Sequence, residues 1–207
     1  MKLISPISTL IFDFGAVLIN LNLPQCIQNF KQLGIQDVEQ YLSNYGQSDF
    51  FLEFEKGQIN TQEFRAHIRQ LAPQTLTDTQ IDWAWCSFLV NIPNEKLELL
   101  LELKKKYRIL MLSNTNPLHI EVSAANEFAR VGKTRFDFFD KCYLSYEMGM
   151  AKPDAEIFHA VLADGKLNPS ECLFLDDGPK NIEQAKQLGI QTYLVTENED
   201  LSFLLSI

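Results

Sequence analysis

The sequence has little that suits a nucleic acid or a charged membrane surface. Its 18 Lys and Arg residues are outnumbered by 27 Asp and Glu residues, which gives a formal net charge of -9 and a pI near 4.8. This acidic balance argues against a nucleic-acid or anionic-membrane partner. It is compatible with a phosphorylated substrate, because a bound cation and one lysine can reverse the sign of the potential locally.

Cysteines and long apolar runs are also scarce. The four cysteines, at positions 26, 86, 142 and 172, match no metal-finger spacing, and we interpret them as core thiols. No apolar run is long enough to span a bilayer. The N-terminal stretch "MKLISPISTLIFDFG" is interrupted by polar residues and lacks the small-residue cleavage site of a signal peptide. We therefore expect a soluble, cytoplasmic protein, and the sequence contains no signal for an oligomeric state.

Apolar residues are plentiful enough for a sizeable core, at 46% of the chain with 15 Phe. Five short runs have the length of buried parallel strands, and helical patterns separate the last four. The runs are "TLIFDF" (9–14), "YRILMLS" (107–113), "KCYLS" (141–145), "CLFLDD" (172–177) and "QTYLVT" (191–196). The helical patterns cover 94–106, 153–165 and 178–189. This alternation predicts an α/β fold with a Rossmann-like, doubly wound parallel sheet.

The segment 21–92 differs from the rest of the chain. It contains both tryptophans, no convincing strand, and the amphipathic patterns "LPQCIQNFKQLG", "DVEQYLSNYG" and "NTQEFRAHIRQL". We therefore assign residues 1–20 and 93–207 to the core and 21–92 to an α-helical cap inserted after the first strand. Ligands of open α/β sheets bind at the carboxyl ends of the strands, so this insertion would cover the site as a lid.

Several polar residues fall where the predicted strands end. Each has an ordinary structural explanation as a helix cap, a turn residue or a solvated loop residue. They are Asp13 after the first strand, Ser113 and Asn114 after the second, Lys152 after the third, and Asp176 with Asp177 after the fourth.

Taken together, these residues indicate a cation and phosphate site. Asp13, Asp176 and Asp177 would converge at one sheet edge and repel one another unless a proton or a cation intervened. Hard oxygen ligands beside a phosphate suit Mg²⁺. A serine and a lysine would supply phosphate contacts. The backbone carbonyl of Gly15 would reach the metal, which a bulkier residue would hinder.

The sequence resembles the haloacid dehalogenase (HAD) superfamily, in the subfamily with a helical cap after the first strand. The resemblance rests on "IFDFGAVL", "LSNTN", "GMAKPD" and "FLDDGPKNIEQAKQLGI", which occur in the family's order over essentially the whole chain. The branch is the one with "DxG" in the first motif. "FEKGQINTQEF" (54–64) also resembles the cap segment of that branch.

The resemblance implies a Mg²⁺-dependent phosphatase acting on a small phosphorylated metabolite. Asp13 would be the nucleophile that forms an aspartyl-phosphate. Ser113 would bind the phosphoryl oxygens, Lys152 would neutralise their charge, and Asn114 would contact the phosphate or orient the second motif. The metal would be held by Asp13, the Gly15 carbonyl and Asp177, with Asp176 contributing directly or through water.

One element of the family pattern is missing. Most HAD phosphatases carry a second Asp, the general acid–base, where this chain has Gly15. An anomeric phosphate has a more acidic leaving oxygen than a primary alcohol ester, so a glycosyl 1-phosphate fits this gap. His119 is a candidate substitute donor, although a structural role is the simpler interpretation.

The cap offers candidate substrate contacts. Glu55, Arg65 and Trp83 could face the substrate, with Gly57 marking a loop that dips into the site, although packing is the commoner role for such residues. His67 and His159 lie in helical patterns and are expected to be structural or solvated. The basic and aromatic loop 126–140 could form a partner surface or pack back on its own domain.

Two other functions remain alternatives. A haloacid dehalogenase also lacks the second acid, but the Asp176–Asp177 pair makes little sense without a cation. A non-catalytic or weakly active binding or regulatory protein would explain Gly15, but it need not retain Asp13, Ser113 and Lys152.

Overall fold

The computed structural model describes residues 6–42 and 49–207. The chain forms a five-stranded sheet of β1 (Thr9–Phe12), β2 (Arg108–Ser113), β3 (Lys141–Leu144), β4 (Cys172–Asp176) and β5 (Gln191–Leu194). The order is β3-β2-β1-β4-β5 and every pair is parallel. The predicted α/β class and parallel sheet are confirmed, although all strands except β2 end one or two residues before their apolar runs.

Helices cover both faces of the sheet. Successive residues of β1 enter different hydrophobic clusters, with Leu10 and Phe12 in one and Ile11 in the other, as the alternation of side chains requires. The first cluster includes residues of α5 (Asn94–Leu103), α6 (Ala125–Ala129) and α7 (Arg135–Phe138). The second includes residues of α9 (Ala155–Gly165) and α10 (Pro179–Gln187). A sheet buried on both faces explains why its strands are continuous apolar runs.

The segment after β1 is helical. It contains α1 (Leu23–Gln32), α2 (Phe50–Glu55), α3 (Thr61–Leu71) and α4 (Asp78–Cys86). Local capping explains their starts, since Asn60 with Glu63 and Thr77 with Gln80 form capping boxes at α3 and α4. The pattern "DVEQYLSNYG" forms only a 3₁₀ turn (Val38–Gln40) in its described part, and its end lies outside the described residues.

This helical segment has a hydrophobic cluster of its own. Its centre is aromatic, with Phe30, Phe51, Phe54, Phe64 and Trp85 all fully buried. The two chain connections to the sheet run side by side, where Asn20 N donates to Asn91 O at 2.9 Å and Val90 N donates to Asn20 O at 2.9 Å. The division into a core and a cap at 21–92 stays a prediction. The separate hydrophobic cluster and the paired chain connections are the physical basis for it.

Four further short elements lie among the strands and helices of the core. The π-helix His119–Ala124 precedes α6, α8 (Ser145–Met148) follows β3, and 3₁₀ turns occupy Pro169–Glu171 and Ser202–Ser206. The segment 126–140, predicted as a loop, contains most of α6 and all of α7, and it packs back on the sheet through buried Phe128, Phe138 and Phe139. Among the described residues, no helix combines the length and apolar character needed to cross a membrane.

Candidate active site

Three carboxylates meet at the carboxyl edge of the sheet. Asp13 follows β1, Asp176 ends β4, and Asp177 comes next. One oxygen from each lies within 4.8 Å of the others. The strand register explains why the three oxygens are close. Phe12 of β1 pairs with Leu175 of the adjacent parallel strand β4, so both strands end at the same level. A group of oxygen ligands this compact fits a hard divalent cation such as Mg²⁺.

Lys152 lies between two of these carboxylates. Its Nζ is 2.8 Å from Asp13 Oδ1 and 2.6 Å from Asp176 Oδ2, and the residue is buried. Asp176 Oδ1 accepts hydrogen bonds from Gly178 N at 2.7 Å and Asn181 Nδ2 at 2.9 Å. Both Asp176 oxygens are thus engaged within the protein. Asp13 is 8% exposed and opens toward the pocket.

Burial dominates the electrostatics of the cluster. It raises the pKa of Asp13 to about 8 against the attraction of Lys152, with Asp176 and Asp177 adding to the rise. Burial and the charge of Asp176 raise the pKa of Asp177 to about 6. Burial alone would lower the pKa of Lys152, but Asp13 and Asp176 outweigh it and the pKa is raised. The lysine therefore stays cationic, but its single positive charge does not balance the three acids.

The end of β2 forms a second wall of the pocket. Ser113 is the last residue of the strand and is buried. The Asn114 amide is tied to the Lys152 backbone, since Nδ2 donates to Lys152 O and Oδ1 accepts from Lys152 N, both at 2.8 Å. Asn114 thus holds the backbone of the loop that carries Lys152. Its predicted phosphate contact, like the predicted role of Ser113, stays a prediction.

The loop after β1 departs from the expected geometry at Gly15. The left-handed residue of the turn is Ala16, with φ of 56°. A Cβ at Gly15 would meet only the Leu21 side chain, at 3.4 Å, which is an ordinary contact. The Gly15 carbonyl accepts a hydrogen bond from Val17 N at 2.6 Å. The fold therefore has room for a Cβ at this position, and crowding at the backbone does not explain the glycine.

The helical segment supplies a further wall of the pocket. Its pocket-lining residues are Leu21, Glu55, Phe88 and Leu89. Glu55 is the last residue of α2 and is 4% exposed. Burial raises its pKa to about 8, with the charge of Asp13 adding to the rise and Lys152 opposing it. A buried carboxyl group from this wall thus faces the same space as the acid cluster.

His119 also lines the pocket but is held by the cap. Its ring stacks on Trp85 at 4.4 Å between centroids, and its Nε2 lies 3.2 Å from the Trp85 carbonyl oxygen. Burial lowers the pKa of His119 to about 4, against the effect of that hydrogen bond. The imidazole is therefore neutral near pH 7, which agrees with the structural interpretation.

The other cap candidates lie away from this pocket. Arg65 is bound within the cap, where its NH2 group is 2.6 Å from Asp82 Oδ2 and its NH1 group is 3.1 Å from Asp78 Oδ2. Trp83 is 48% exposed. His67 stacks on a phenylalanine of α2, and His159 is exposed. Amphipathic spacing identified these residues as helical but did not show which face meets the site.

Two supporting residues, Asn181 and Ser145, were not among the predicted site residues. Asn181 donates to Asp176 from the first turn of α10. Ser145 ties β3 to the loop after β2, because its Oγ accepts from Thr115 N at 2.8 Å and donates to Thr115 O at 3.0 Å. The available signal was position, since Ser145 is the last residue of the run "KCYLS", whose strand β3 ends at the same sheet edge.

The fold and the site define a hydrolase class in which a parallel sheet holds acidic groups beneath a helical cover. Residues 7–189 match the haloacid dehalogenase-like hydrolase family. The chain belongs to this family, as the sequence motifs indicated.

Three relatives show how far the similarity extends. The chain is 38% identical over 187 residues to the D-ribitol-5-phosphate phosphatase of Bacteroides thetaiotaomicron, covering 90% of this chain and 91% of the relative. It resembles a HAD family enzyme of B. thetaiotaomicron solved with magnesium and inorganic phosphate, with a TM-score of 0.89, 46% identity and coverage of 96% and 98% of the two chains. A protein described as a predicted HAD-like family hydrolase from Porphyromonas gingivalis has a TM-score of 0.87, 38% identity and coverage of 95% and 94%.

Proposed function

We propose that this protein is a Mg²⁺-dependent phosphatase that hydrolyses the phosphate ester of a small sugar or polyol through an aspartyl-phosphate on Asp13. The observation that carries the proposal is the placement of Asp13 beside Lys152, Asp176 and Asp177 at the carboxyl edge of the sheet. The phosphatase named among the relatives supports this class of reaction. The magnesium found in solved relatives agrees with the predicted cofactor.

The reaction requires an in-line displacement at phosphorus. The Asp13 carboxylate attacks, the bond from phosphorus to the leaving oxygen breaks, and water then hydrolyses the aspartyl-phosphate. Lys152 neutralises charge on Asp13 and on the phosphoryl group, while Ser113 donates to a phosphoryl oxygen. The cation would be held by Asp13, Asp177 and the Gly15 carbonyl, with Asp176 acting directly or through water, and would neutralise charge on the phosphate when bound.

Two substrate classes are supported by different observations. The relative that acts on D-ribitol 5-phosphate favours a polyol phosphate with a primary alcohol as the leaving group. The missing acid at Gly15 favours a glycosyl 1-phosphate, whose leaving oxygen is more acidic. Phosphate release from D-ribitol 5-phosphate and from an aldose 1-phosphate distinguishes them directly.

The proposal is tested by phosphate release with Mg²⁺ and with EDTA, for the wild type and Asp13→Asn. We expect Mg²⁺-dependent turnover that falls by at least about 10⁴-fold in D13N, because the nucleophile is lost. Asp37→Asn is the matched control, because it makes the same chemical change at an exposed position of the cap. The Asp37 side chain makes no capping hydrogen bond, so its replacement should leave the fold unchanged.

Each outcome decides between the alternatives. Turnover that persists in D13N, or that needs no cation, would contradict the aspartyl-phosphate mechanism. No turnover of any phosphate by the wild type, including p-nitrophenyl phosphate, would favour the binding or regulatory protein. Halide release from a 2-haloacid without a metal would favour the dehalogenase.

A further inference from the structure

Glu55 is a buried acid that the proposed chemistry has not used. It ends α2 in the sequence "FEKG", is 4% exposed, and lines the pocket that Asp13, Ser113 and Lys152 also line. Within residues 6–42 and 49–207, no described hydrogen bond or ion pair engages its carboxyl group. Buried carboxyl groups are usually satisfied by partners, so a role in fold stability does not account for it.

Contacts between the cap and the core hold Glu55 in place. Lys56 Nζ is 3.4 Å from Asp154 Oδ2 in the loop that follows Lys152. Gly57 lies so close to α8 that a Cβ there would be 2.1 Å from the Tyr146 carbonyl oxygen. The acid is thus positioned by the two residues that follow it, Lys56 and Gly57, both of which contact the core.

Glu55 also reaches the pocket from a different part of the fold than the nucleophile. In-line displacement puts the leaving oxygen opposite the nucleophile. Asp13 follows β1 at the sheet edge, and Glu55 ends α2 in the helical segment, so the two acids enter the pocket from different elements. Glu55 is thus a carboxyl group of the cap that shares the pocket with the nucleophile.

Other groups near the pocket are engaged elsewhere, and Asp177, which lines it, is assigned to the cation. Gly15 has no side chain, and both oxygens of Asp176 are engaged by Lys152, Gly178 and Asn181. His119 points its Nε2 at a carbonyl oxygen of the cap.

Resting on the proposed phosphatase function, we propose that Glu55 is the general acid–base of this enzyme and replaces the acid missing at Gly15. As the bond between phosphorus and the alcohol oxygen breaks, the Glu55 carboxyl group gives its proton to that oxygen and becomes a carboxylate. It then takes a proton from the water that attacks the aspartyl-phosphate. Phosphate and the Asp13 carboxylate are released, and Glu55 is again protonated.

The surroundings of Glu55 are consistent with a proton donor. Burial, then the charge of Asp13, raises its pKa to about 8 against Lys152, so the protonated form predominates at pH 7. Lys56 on the same helix is paired with Asp154. Of the other groups on packed elements, Tyr146 of α8 has its hydroxyl hydrogen-bonded to glutamates of the core surface, and His67 of α3 stacks on the first residue of α2.

The test compares Glu55→Gln with Glu53→Gln on two substrates in Mg²⁺. Glu53 lies on the same helix and does not line this pocket, so it controls for the chemical change. On D-ribitol 5-phosphate we expect kcat of E55Q to fall by about 10²–10⁴-fold, the usual range for general acid–base catalysis, with E53Q unchanged. Gln is close to isosteric with protonated Glu, so folding should be retained, and circular dichroism with a thermal melt checks this.

p-Nitrophenyl phosphate separates the two proton transfers. Its leaving group departs as an anion and needs no acid, so E55Q should release one equivalent of p-nitrophenol per site in a rapid burst. Hydrolysis of the aspartyl-phosphate lacks its base and should then limit turnover. In the wild type, kcat/KM on the alkyl phosphate should fall as pH rises above the pKa of the acid, and E55Q should lose that decline. Glu55→Asp, which keeps the carboxyl group, should retain part of the activity.

The outcomes distinguish this inference from the proposed function. Three results with an active wild type would show that Glu55 is not the acid–base and leave the phosphatase proposal standing. In these results E55Q keeps its full activity, loses activity equally on both substrates in the first chemical step, or changes only in having a higher KM. If the wild type has no Mg²⁺-dependent turnover, both proposals are overturned.

Discussion

At the scale of single residues, the site depends on one cation shared by two buried acids. Lys152 Nζ contacts Asp13 and Asp176 and lies 5.5 Å from the centre of the Phe174 ring. Its backbone is braced by Asn114. Because desolvation makes unpaired charges costly, such a lysine both supports the fold and places positive charge where a phosphate would bind.

We expect Lys152→Met to lose both contributions. In metal-free protein the free energy of unfolding should fall by about 3–5 kcal/mol, because two carboxylates are left without their partner. With Mg²⁺, kcat should fall by about 10²–10³-fold, as for loss of one oxyanion-stabilising donor. Urea melts and phosphate release measure the two effects. The exposed Lys186 of α10 provides the control K186M, which should change stability by less than about 0.5 kcal/mol. Equal effects of the two variants would contradict this role.

At the scale of elements, the end of α2 links the cap to the core. Gly57 has a φ of +64° and leaves no room for a Cβ beside the Tyr146 carbonyl oxygen. Gly132 has a similar φ of +70°, but nothing lies within 4 Å of the position of its Cβ. The two glycines therefore differ in the cap–core contact and not in backbone conformation.

Gly57→Ala should consequently be more damaging than Gly132→Ala. Both substitutions incur the backbone cost of a left-handed alanine, about 1 kcal/mol. Only G57A adds a steric conflict, which should lower stability by about 1–3 kcal/mol more. Displacement of the α2 end should also lower kcat/KM by about 10–100-fold, with G132A unchanged. Thermal melts and steady-state kinetics provide both comparisons, and matching results for the two variants would show that the contact is unimportant.

At the scale of the whole molecule, the buried acids of the pocket lower the stability of the metal-free protein as pH rises. The raised pKa values are about 8 for Asp13 and Glu55 and about 6 for Asp177. Above about pH 5 the unfolded carboxyl groups have lost their protons, while the folded ones still bind them. Stability rises with pH only where the unfolded state binds more protons, so here it falls as pH rises toward 8.

We therefore expect the melting temperature in EDTA to be lower at pH 8 than at pH 5.5. Mg²⁺ should raise it, and more so at pH 8, because the cation and the protons compete for the same oxygens. At 100 times the dissociation constant the stabilisation is about 2.7 kcal/mol. D13N should show a smaller decline with pH, and NaCl at matched ionic strength controls for screening. A melting temperature that is constant or rises between these pH values would contradict the expectation.

The elements of the fold could be predicted because their signals are local. The run "TLIFDF" and the boundaries of "PDAEIFHAVLADG" reflect burial and helix termination, which depend on neighbouring residues. The convergence of Asp13, Asp176 and Asp177 followed from chain order, since parallel strands end at the same edge. The strand ends were less accurate, because Asp13 and Asp177 continue the runs in sequence but leave the sheet to form the site.

Only the tertiary structure decided which cap residues reach that site. Glu55, Arg65 and Trp83 are similar candidates by helical position, but packing buries Glu55 in the pocket, engages Arg65 with Asp82, and leaves Trp83 exposed. The sequence by itself determined the family, the sheet and the acidic cluster, since these depend on residue type and order. The cap wall of the pocket depends on how two separate hydrophobic cores meet, and that contact is made by residues far apart in the chain.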